Sequence, residues 1–377
     1  MNNPFIYGTV VTGQNFTNRI KETNELIDDI KSGQNIFLFS PRRYGKTSLI
    51  KVIQNKLEKE NFITIYIDFY RVYSKLRFIE LYSRIIAKKI DTKLDSVINF
   101  FKNNIKNIVP SISFDNFGNP VFKIEFPRNK NNEDYILEEI LQLPCKLAKK
   151  KSKKIVVIFD EFQEINNING DSFEKELRAS IQHHENISYI FMGSKTHILQ
   201  NMFTNKNRAL YKIGKIFPLK KIPAPELIKF ILKKFKAGSY IINKKIAESI
   251  CNITLNHPYY TQMLCHEVWE VSIDSKLVNN DSVQFAIDKI LNNQSELYIK
   301  IWETLSLNQK ALLNAFLRSG IRGIYSQKYI ETNQLSSVST IQRSVKSLIE
   351  KGVIEKYEDK YQFTDIFFKY WLEKNII

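Results

Sequence analysis

The segment Ile36-Phe-Leu-Phe-Ser40-Pro-Arg-Arg-Tyr-Gly-Lys-Thr-Ser48 constrains the fold more than any other stretch of this chain. Four apolar residues end abruptly in a turn, and Gly45-Lys46-Thr47-Ser48 opens a run with apolar residues at helical spacing. A strand breaking into a Gly-Lys-Thr turn and then a helix brings backbone N–H groups and the positive end of a helix onto a phosphate. The expected cradle is Ser40, Pro41, Arg42, Arg43, Tyr44, Gly45 and Ser48, with Lys46 spanning the β- and γ-phosphates of a nucleotide and the Thr47 hydroxyl ligating Mg²⁺. Ser40 stands where such loops usually begin with glycine. The following Pro41 biases it to extended backbone, which a strand end supplies.

A second segment points to the same chemistry. Lys153 and Lys154 precede Ile155-Val-Val-Ile-Phe159, a continuous apolar run of the kind buried on both faces of a parallel sheet, and it ends in Asp160-Glu161. The carboxyl ends of strands are where open α/β sheets bind ligands. Asp160 is then expected to hold the Mg²⁺ water shell and Glu161 to orient and deprotonate an attacking water. The plainer alternative is that Asp160 caps the next helix.

At 377 residues the chain exceeds one typical core, so two or three domains are expected. No apolar stretch approaches bilayer length, and the start Met1-Asn-Asn-Pro-Phe5 lacks a signal-peptide pattern. Cys145, Cys251 and Cys265 are widely spaced, which fits free thiols in a reducing compartment; a cytoplasmic location without membrane contact is the expectation. The five histidines make no site, since adjacent His183 and His184 diverge on a helix and Cys265-His266 has no partners at metal-ligand spacing. The net charge of +17 favours polyanions, nucleic acid foremost, unless the excess is simply a solvated surface.

A helix over about 15–30 should turn Ile20, Leu26, Ile27 and Ile30 beneath the phosphate site. Strand 62–68 and a helix over 76–90 follow, then an alternating stretch around Asn116 to Pro120 that reads as an inserted hairpin at about 110–127. The acidic strand, a helix over 174–182 and Ile187-Ser-Tyr-Ile-Phe-Met-Gly-Ser194 continue the strand–helix alternation, which implies a parallel α/β sheet with helices on both faces. Pro223-Ala-Pro225 marks the exit from a sheet domain spanning 1–222. Helices fill 223–304. From 305 to 377 the helices 309–318, 327–332 and 336–350, followed by strands 353–357 and 361–364 turning at Asp359-Lys360, give a winged helix-turn-helix pattern. Ile341, Val345, Leu348 and Ile349 should face inward in its last helix, leaving Thr340, Arg343, Lys346 and Ser347 outward.

These segments resemble the archaeal-type ATPases of the AAA+/STAND branch, which pair a P-loop ATPase domain with a helical lid and a winged helix. The resemblance rests on SPRRYGKTSLI, VVIFDEFQEI, SYIFMGSKTHIL, NHPYYTQ and YQFTDIFFKYWL. It implies ATP as the nucleotide and places Ser194 at the end of a sensor strand, poised to read the γ-phosphate; a strand-terminating turn is the equal alternative. It also implies that Pro258 lies against adenine, with Asn256 at the usual glycine position, and that Phe16 and Arg19 flank the base, with Asn18 where glycine is usual. Fast γ-phosphate cleavage needs an arginine finger, for which Arg178 and Arg208 are the candidates.

The resulting expectation is an ATP-binding, slowly hydrolysing, nucleotide-dependent switch, free to oligomerise and to work through an unidentified protein partner. Double-stranded DNA is an expected partner through Arg343 and Lys346. Two other readings stand beside it: a DNA-binding regulator with ATP as a structural ligand, and a docking switch that never touches DNA. A dinucleotide-binding fold is disfavoured, because no G-x-G-x-x-G follows a strand, and so is a kinase or GTPase, because no Asn-Lys-x-Asp pattern follows the acidic strand.

Overall fold

The computed structural model describes residues 2–376 apart from 14–15, 17–18, 107, 119, 126–132 and 358–359. Asn18 of the base-flanking box, Asn119 and Phe126 of the hairpin reading and Asp359 of the wing turn therefore lie outside the described residues. The chain divides into two compact units, Thr12–Lys220 and a second made of Met1–Val11 with Lys221–Ile377.

The first unit runs α1 (Ile20–Lys31), β1 (Ile36–Phe39), α2 (Lys46–Lys59), β2 (Ile63–Asp68), α3 (Lys75–Ile90), α4 (Leu94–Asn104), β3 (Val109–Phe114), β4 (Pro120–Glu125), α5 (Glu133–Leu141), α6 (Leu143–Lys151), β5 (Ile155–Asp160), α7 (Gly170–Ile181), β6 (Ile187–Gly193), α8 (Thr196–Thr204) and β7 (Lys215–Pro218). Five strands form one parallel sheet in the order β2-β5-β6-β1-β7. Successive residues of a strand point to opposite faces, and the apolar runs fill both. Phe37, Ile65, Val157, Phe159 and Phe191 join a large core with α3, α5, α7 and α8, whereas Ile36, Leu38, Val156, Ile158 and Ile190 join a smaller one with α1 and α2. Strands β3 and β4 form the separate antiparallel hairpin.

Two expectations for this unit need correction. Leu26, Ile27 and Ile30 are buried in the smaller core, but Ile20, the first residue of α1, is 65% exposed. Edge strand β7 has no counterpart in the sequence reading.

The second unit contains α9 (Ala224–Ala237), β8 (Ile241–Ile242), α10 (Lys244–Ile253), α11 (Pro258–Val271), β9 (Leu277–Val278), α12 (Asn280–Glu303), α13 (Leu307–Ser319), α14 (Gln327–Thr332), α15 (Val338–Glu350), the wing strands β10 (Ile354–Tyr357) and β11 (Lys360–Phe363), and α16 (Ile366–Asn375). Side-chain oxygens cap several of its helices: Asn243, Ser306, Ser326, Ser337 and Asp365 each accept from a first-turn N–H. One continuous core runs from Leu227 and Trp269 through Ile290 to Leu348 and Trp371, so the helices of 223–304 and the winged helix of 305–377 pack as one body. Polar ties cross the same boundary: the Tyr260 hydroxyl donates to the Thr364 carbonyl at 3.0 Å and Trp371 Nε1 to Ser295 Oγ at 3.2 Å.

Residues 2–11, expected with the sheet, pack in this second unit. Phe5 is buried against Phe235 and Trp269, at 4.8 and 6.1 Å between ring centres, and its carbonyl lies 2.8 Å from His266 Nδ1. Among the described residues, no helix is long and apolar enough to cross a membrane.

Candidate functional site

The polar side chains singled out on the sheet unit converge at the carboxyl ends of β1, β5 and β6. Strand β1 stops at Phe39, and Ser40 to Tyr44 turn the chain into α2, whose N-cap Gly45 takes φ 87°. That left-handed conformation suits glycine, which has no Cβ to clash. Arg43 also takes a positive φ, 65°. A helix start leaves first-turn N–H groups without intrahelical partners, the property that makes such a turn an anion cradle.

Lys46 is buried, and its Nζ donates to the carbonyls of Ser40 at 2.9 Å and Pro41 at 3.2 Å, so the ammonium is folded across the loop. Tyr44 is buried beneath the turn while Arg42 and Arg43 are exposed, Arg42 donating to the Tyr70 hydroxyl at 3.1 Å. Arg19 is almost fully buried and braces the loop from behind: its guanidinium donates to the carbonyls of Tyr44 at 3.1 Å and Lys220 at 2.8 Å and pairs with Glu22 at 2.9 Å. Phe16 packs, partly buried, against the α1–α2 core.

Strand β5 delivers Asp160 beside this loop. Its Oδ2 lies 3.5 Å from Thr47 Oγ1 and accepts a short hydrogen bond from the Tyr66 hydroxyl on neighbouring β2. Burial pushes the Asp160 carboxyl up to about 6 and adjacent Glu161 adds to the rise, while the Tyr66 hydrogen bond opposes it. A buried carboxylate and a hydroxyl facing each other form the hard oxygen pair that suits Mg²⁺.

Glu161 sits in the left-handed region at φ 48°, a strained position for a side-chain-bearing residue. Its Oε2 accepts from Ser194 Oγ at 2.8 Å, from the Ser194 N–H at 3.1 Å and from Gln163 Nε2 at 2.5 Å. Ser194, at the end of β6, is thus joined directly to Glu161. Gly193 allows this closeness: a Cβ there would fall 1.9 Å from Gln163 Oε1 and 2.7 Å from Leu199 Cδ1. Tyr66 and Gln163 went unremarked in the sequence. The available signal was a hydroxyl-bearing aromatic two residues before strand-ending Asp68, which pairs in register with Asp160.

The other residues lie elsewhere. Arg208 holds the buried Glu174 carboxylate and reaches Asp171 at 3.7 Å, while Arg178 donates to the Tyr211 carbonyl at 3.3 Å, so each finger candidate has partners within the sheet unit. Pro258 is the first residue of α11 in the second unit. Arg343 and Lys346 are exposed on α15, with Arg343 Nε folded back to the Ser339 carbonyl at 3.4 Å.

Comparison with known proteins agrees with the fold. Residues 16–260 match the family model described as an ATPase domain predominantly from Archaea, and residues 296–374 match one described as "Probable winged helix domain". Two ATP-binding proteins of Methanocaldococcus jannaschii are similar in sequence. One is 31% identical over 172 residues, covering 44% of this chain and 47% of that protein; the other is 28% identical over 280 residues, covering 69% and 71%. The chain thus spans about half the length of the first. In fold it resembles the Walker-type ATPase of Pyrococcus abyssi (TM-score 0.64, 15% identity, covering 98% of this chain and 99% of that one). It also resembles the Aeropyrum pernix ORC2 protein, solved as ADPNP–ADP complexes (TM-score 0.57, 14% identity, covering 98% and 96%).

Proposed function

Because the chain belongs to the family of ATPase domains found predominantly in Archaea, we propose that it binds ATP at the β1–α2 turn and hydrolyses it slowly as a nucleotide-dependent switch. The observation that carries this reading is the convergence of Lys46, Thr47, Asp160 and Glu161 on one edge of a parallel sheet. Lys46 would exchange its two loop carbonyls for β- and γ-phosphate oxygens, and the α2 start would supply backbone donors. Thr47 and Asp160 would hold Mg²⁺, which when bound neutralises phosphate charge.

Glu161 would take the proton of the attacking water. Its Oε2 is engaged by Ser194 and Gln163, so the proton would go to Oε1, or to Oε2 once one of those donors moves away. The nearby sensor serine offers the link: a γ-phosphate that draws the Ser194 hydroxyl away frees the carboxylate. Adenine recognition by Phe16 and Arg19 of the sheet unit and cytoplasmic residence complete the proposal.

The test is ATP turnover with and without duplex DNA, in the parent and in Glu161→Gln. The expected result is intact ATP binding with turnover lowered by ~10² or more; undiminished hydrolysis would move the base elsewhere. A second reading, contact with duplex DNA through α15, is supported by the exposure of Arg343 and Lys346 on a capped winged-helix element.

A further inference from the structure

The chain from Lys146 to Lys154 carries lysine at 146, 149, 150, 151, 153 and 154. It forms the end of α6 and the turn into β5, so it lies at the amino edge of the sheet, one strand length from Asp160. Among the described residues, Lys31, Lys75, Lys89, Lys195 and Lys215 of the same unit form ion pairs, but none of these six lysines does. Asp91 feels the charge of Lys151, and Glu185 borders the same surface. A lysine or two in the last turn of α6 would be explained by the helix dipole, which rewards a cation there by ~0.3–1 kcal/mol. Six in nine residues exceed that need and repel one another.

The surroundings are built rather than featureless. Between α4 and α6 runs a groove of about 580 Å³ lined by Ser96, Asn99, Asn103, Asn104, Lys146 and Lys150. A second, of about 500 Å³, is lined by Lys149, Lys153, Lys154, His183 and Asn186 among others. Three ammonium groups are already positioned: Lys146 Nζ on the Asn104 carbonyl at 2.8 Å, Lys154 Nζ on the Lys31 carbonyl at 2.9 Å, and Lys150 Nζ 5.3 Å from the centre of the Phe100 ring. Side chains so held lose less freedom when they meet a partner.

We propose that this lysine face is a nucleic-acid surface that takes the phosphate backbone of duplex DNA, independently of sequence and separately from the winged helix. Ammonium groups neutralise phosphates, and the asparagine amides and serine hydroxyl beside them supply the neutral donors and acceptors that protein–DNA backbone contacts use. A bilayer is the poorer fit. Among the described residues α6 exposes no large apolar side chain to insert between lipids, and the polar groups are recessed in grooves. Lying at the opposite end of β5 from Lys46, Thr47 and Glu161, the surface leaves the nucleotide site clear.

The experiment uses the full chain, a mixed-sequence duplex of about one to two helical turns, and fluorescence anisotropy over a salt series. Lys149, Lys150, Lys153 and Lys154 are changed together to Gln, and in a second variant to Glu. Loss of four phosphate contacts should flatten the log–log salt slope by about three to four units and weaken binding at low salt by ~100-fold or more, with Glu the weaker of the two. Thermal melting and nucleotide binding, unchanged in both variants, confirm that the fold is intact. Absence of DNA binding by the parent, an unchanged slope in the variants, or lysine-dependent binding only to anionic phospholipid vesicles would each overturn the proposal. Lys46→Ala separates it from the nucleotide reading: that variant should lose ATP and keep the DNA salt slope.

Discussion

The sheet unit and the helical unit use buried polar groups in opposite ways. In the sheet unit Lys46, Asp160, Glu161 and Ser194 are drawn from two strand ends and the β1–α2 turn onto one edge, and Asp160 stays ionisable inside the protein with its carboxyl pushed up to about 6. In the helical unit polar side chains knit helices to one another or to their own ends: Gln309 completes a capping box with Ser306, the Thr254 and Thr261 hydroxyls meet at 2.8 Å, and the Tyr260 hydroxyl reaches the Thr364 carbonyl at 3.0 Å. The difference teaches where chemistry can reside. Polar groups from distant parts of the chain, held against burial at one edge, point to a ligand; polar groups that satisfy their neighbours point to packing.

If that contrast holds, the largest stability loss belongs to the helical unit. Trp269 is buried against Phe235 and Tyr240, at 5.8 and 4.1 Å between ring centres, and a Cβ on Gly238 would fall 1.9 Å from its ring. Trp269→Ala should cost ~3–5 kcal/mol, read as a fall in denaturant midpoint. A loss under ~1 kcal/mol would mean that this core repacks easily. Lys46→Ala is the converse case: melting close to the parent's, but ATP affinity lower by roughly 100-fold, the scale of a lost charge-assisted bond. Parental ATP affinity in that variant would remove the phosphate-loop assignment.

The Asp160 carboxyl sharpens the contrast through pH. Its folded value of about 6 lies above the ordinary 3.8, so the folded state holds the proton more tightly. The stability this contributes is complete below about pH 4 and is lost as pH rises through about 6. By pH 8 ionised Asp160 should cost the unliganded protein ~2–3 kcal/mol, the equivalent of the shift. Asp160→Asn should therefore melt higher than the parent at pH 8 without ligand, with the gap closing toward pH 4, and should lose Mg²⁺-dependent nucleotide binding. Parallel melting curves for the two proteins from pH 4 to 8 would contradict the buried-charge account.

Much of the sheet unit was legible because parallel strands buried on both faces read as near-continuous apolar runs, as in Ile155 to Phe159 and Tyr189 to Met192. The phosphate turn was legible because its chemistry demands particular residues in sequence. Strand β7 was not. Its four residues begin with lysine and end with proline, an edge-strand composition that periodicity cannot separate from loop. Tyr66 and Gln163 were hidden for another reason. Tyr66 meets Asp160 across a β2–β5 register that only the folded sheet defines, and Gln163 reaches Glu161 because the chain turns left-handed at Glu161. The placement of residues 2–11 was equally nonlocal, since Phe5 carries no mark of the Trp269 pocket it fills.

The smallest expected effect tests the outward basic face of the winged helix. Arg343 and Lys346 are exposed on α15 while Ile341, Val345 and Leu348 are buried, so the inward face follows the helical period and the outward face is free to enter a groove. Two cations are a modest set, and Arg343 already leans on its own helix through the Ser339 carbonyl. Changing both to Ala should lower the DNA salt slope by about one to two units, less than the lysine face contributes, with melting and ATP turnover unchanged. If the slope does not move, α15 takes no part in DNA contact and the winged helix is a docking element. If the double substitution removes the whole slope, the lysine face is silent and the contrast between the units fails, because the helical unit then carries the polyanion site on its own.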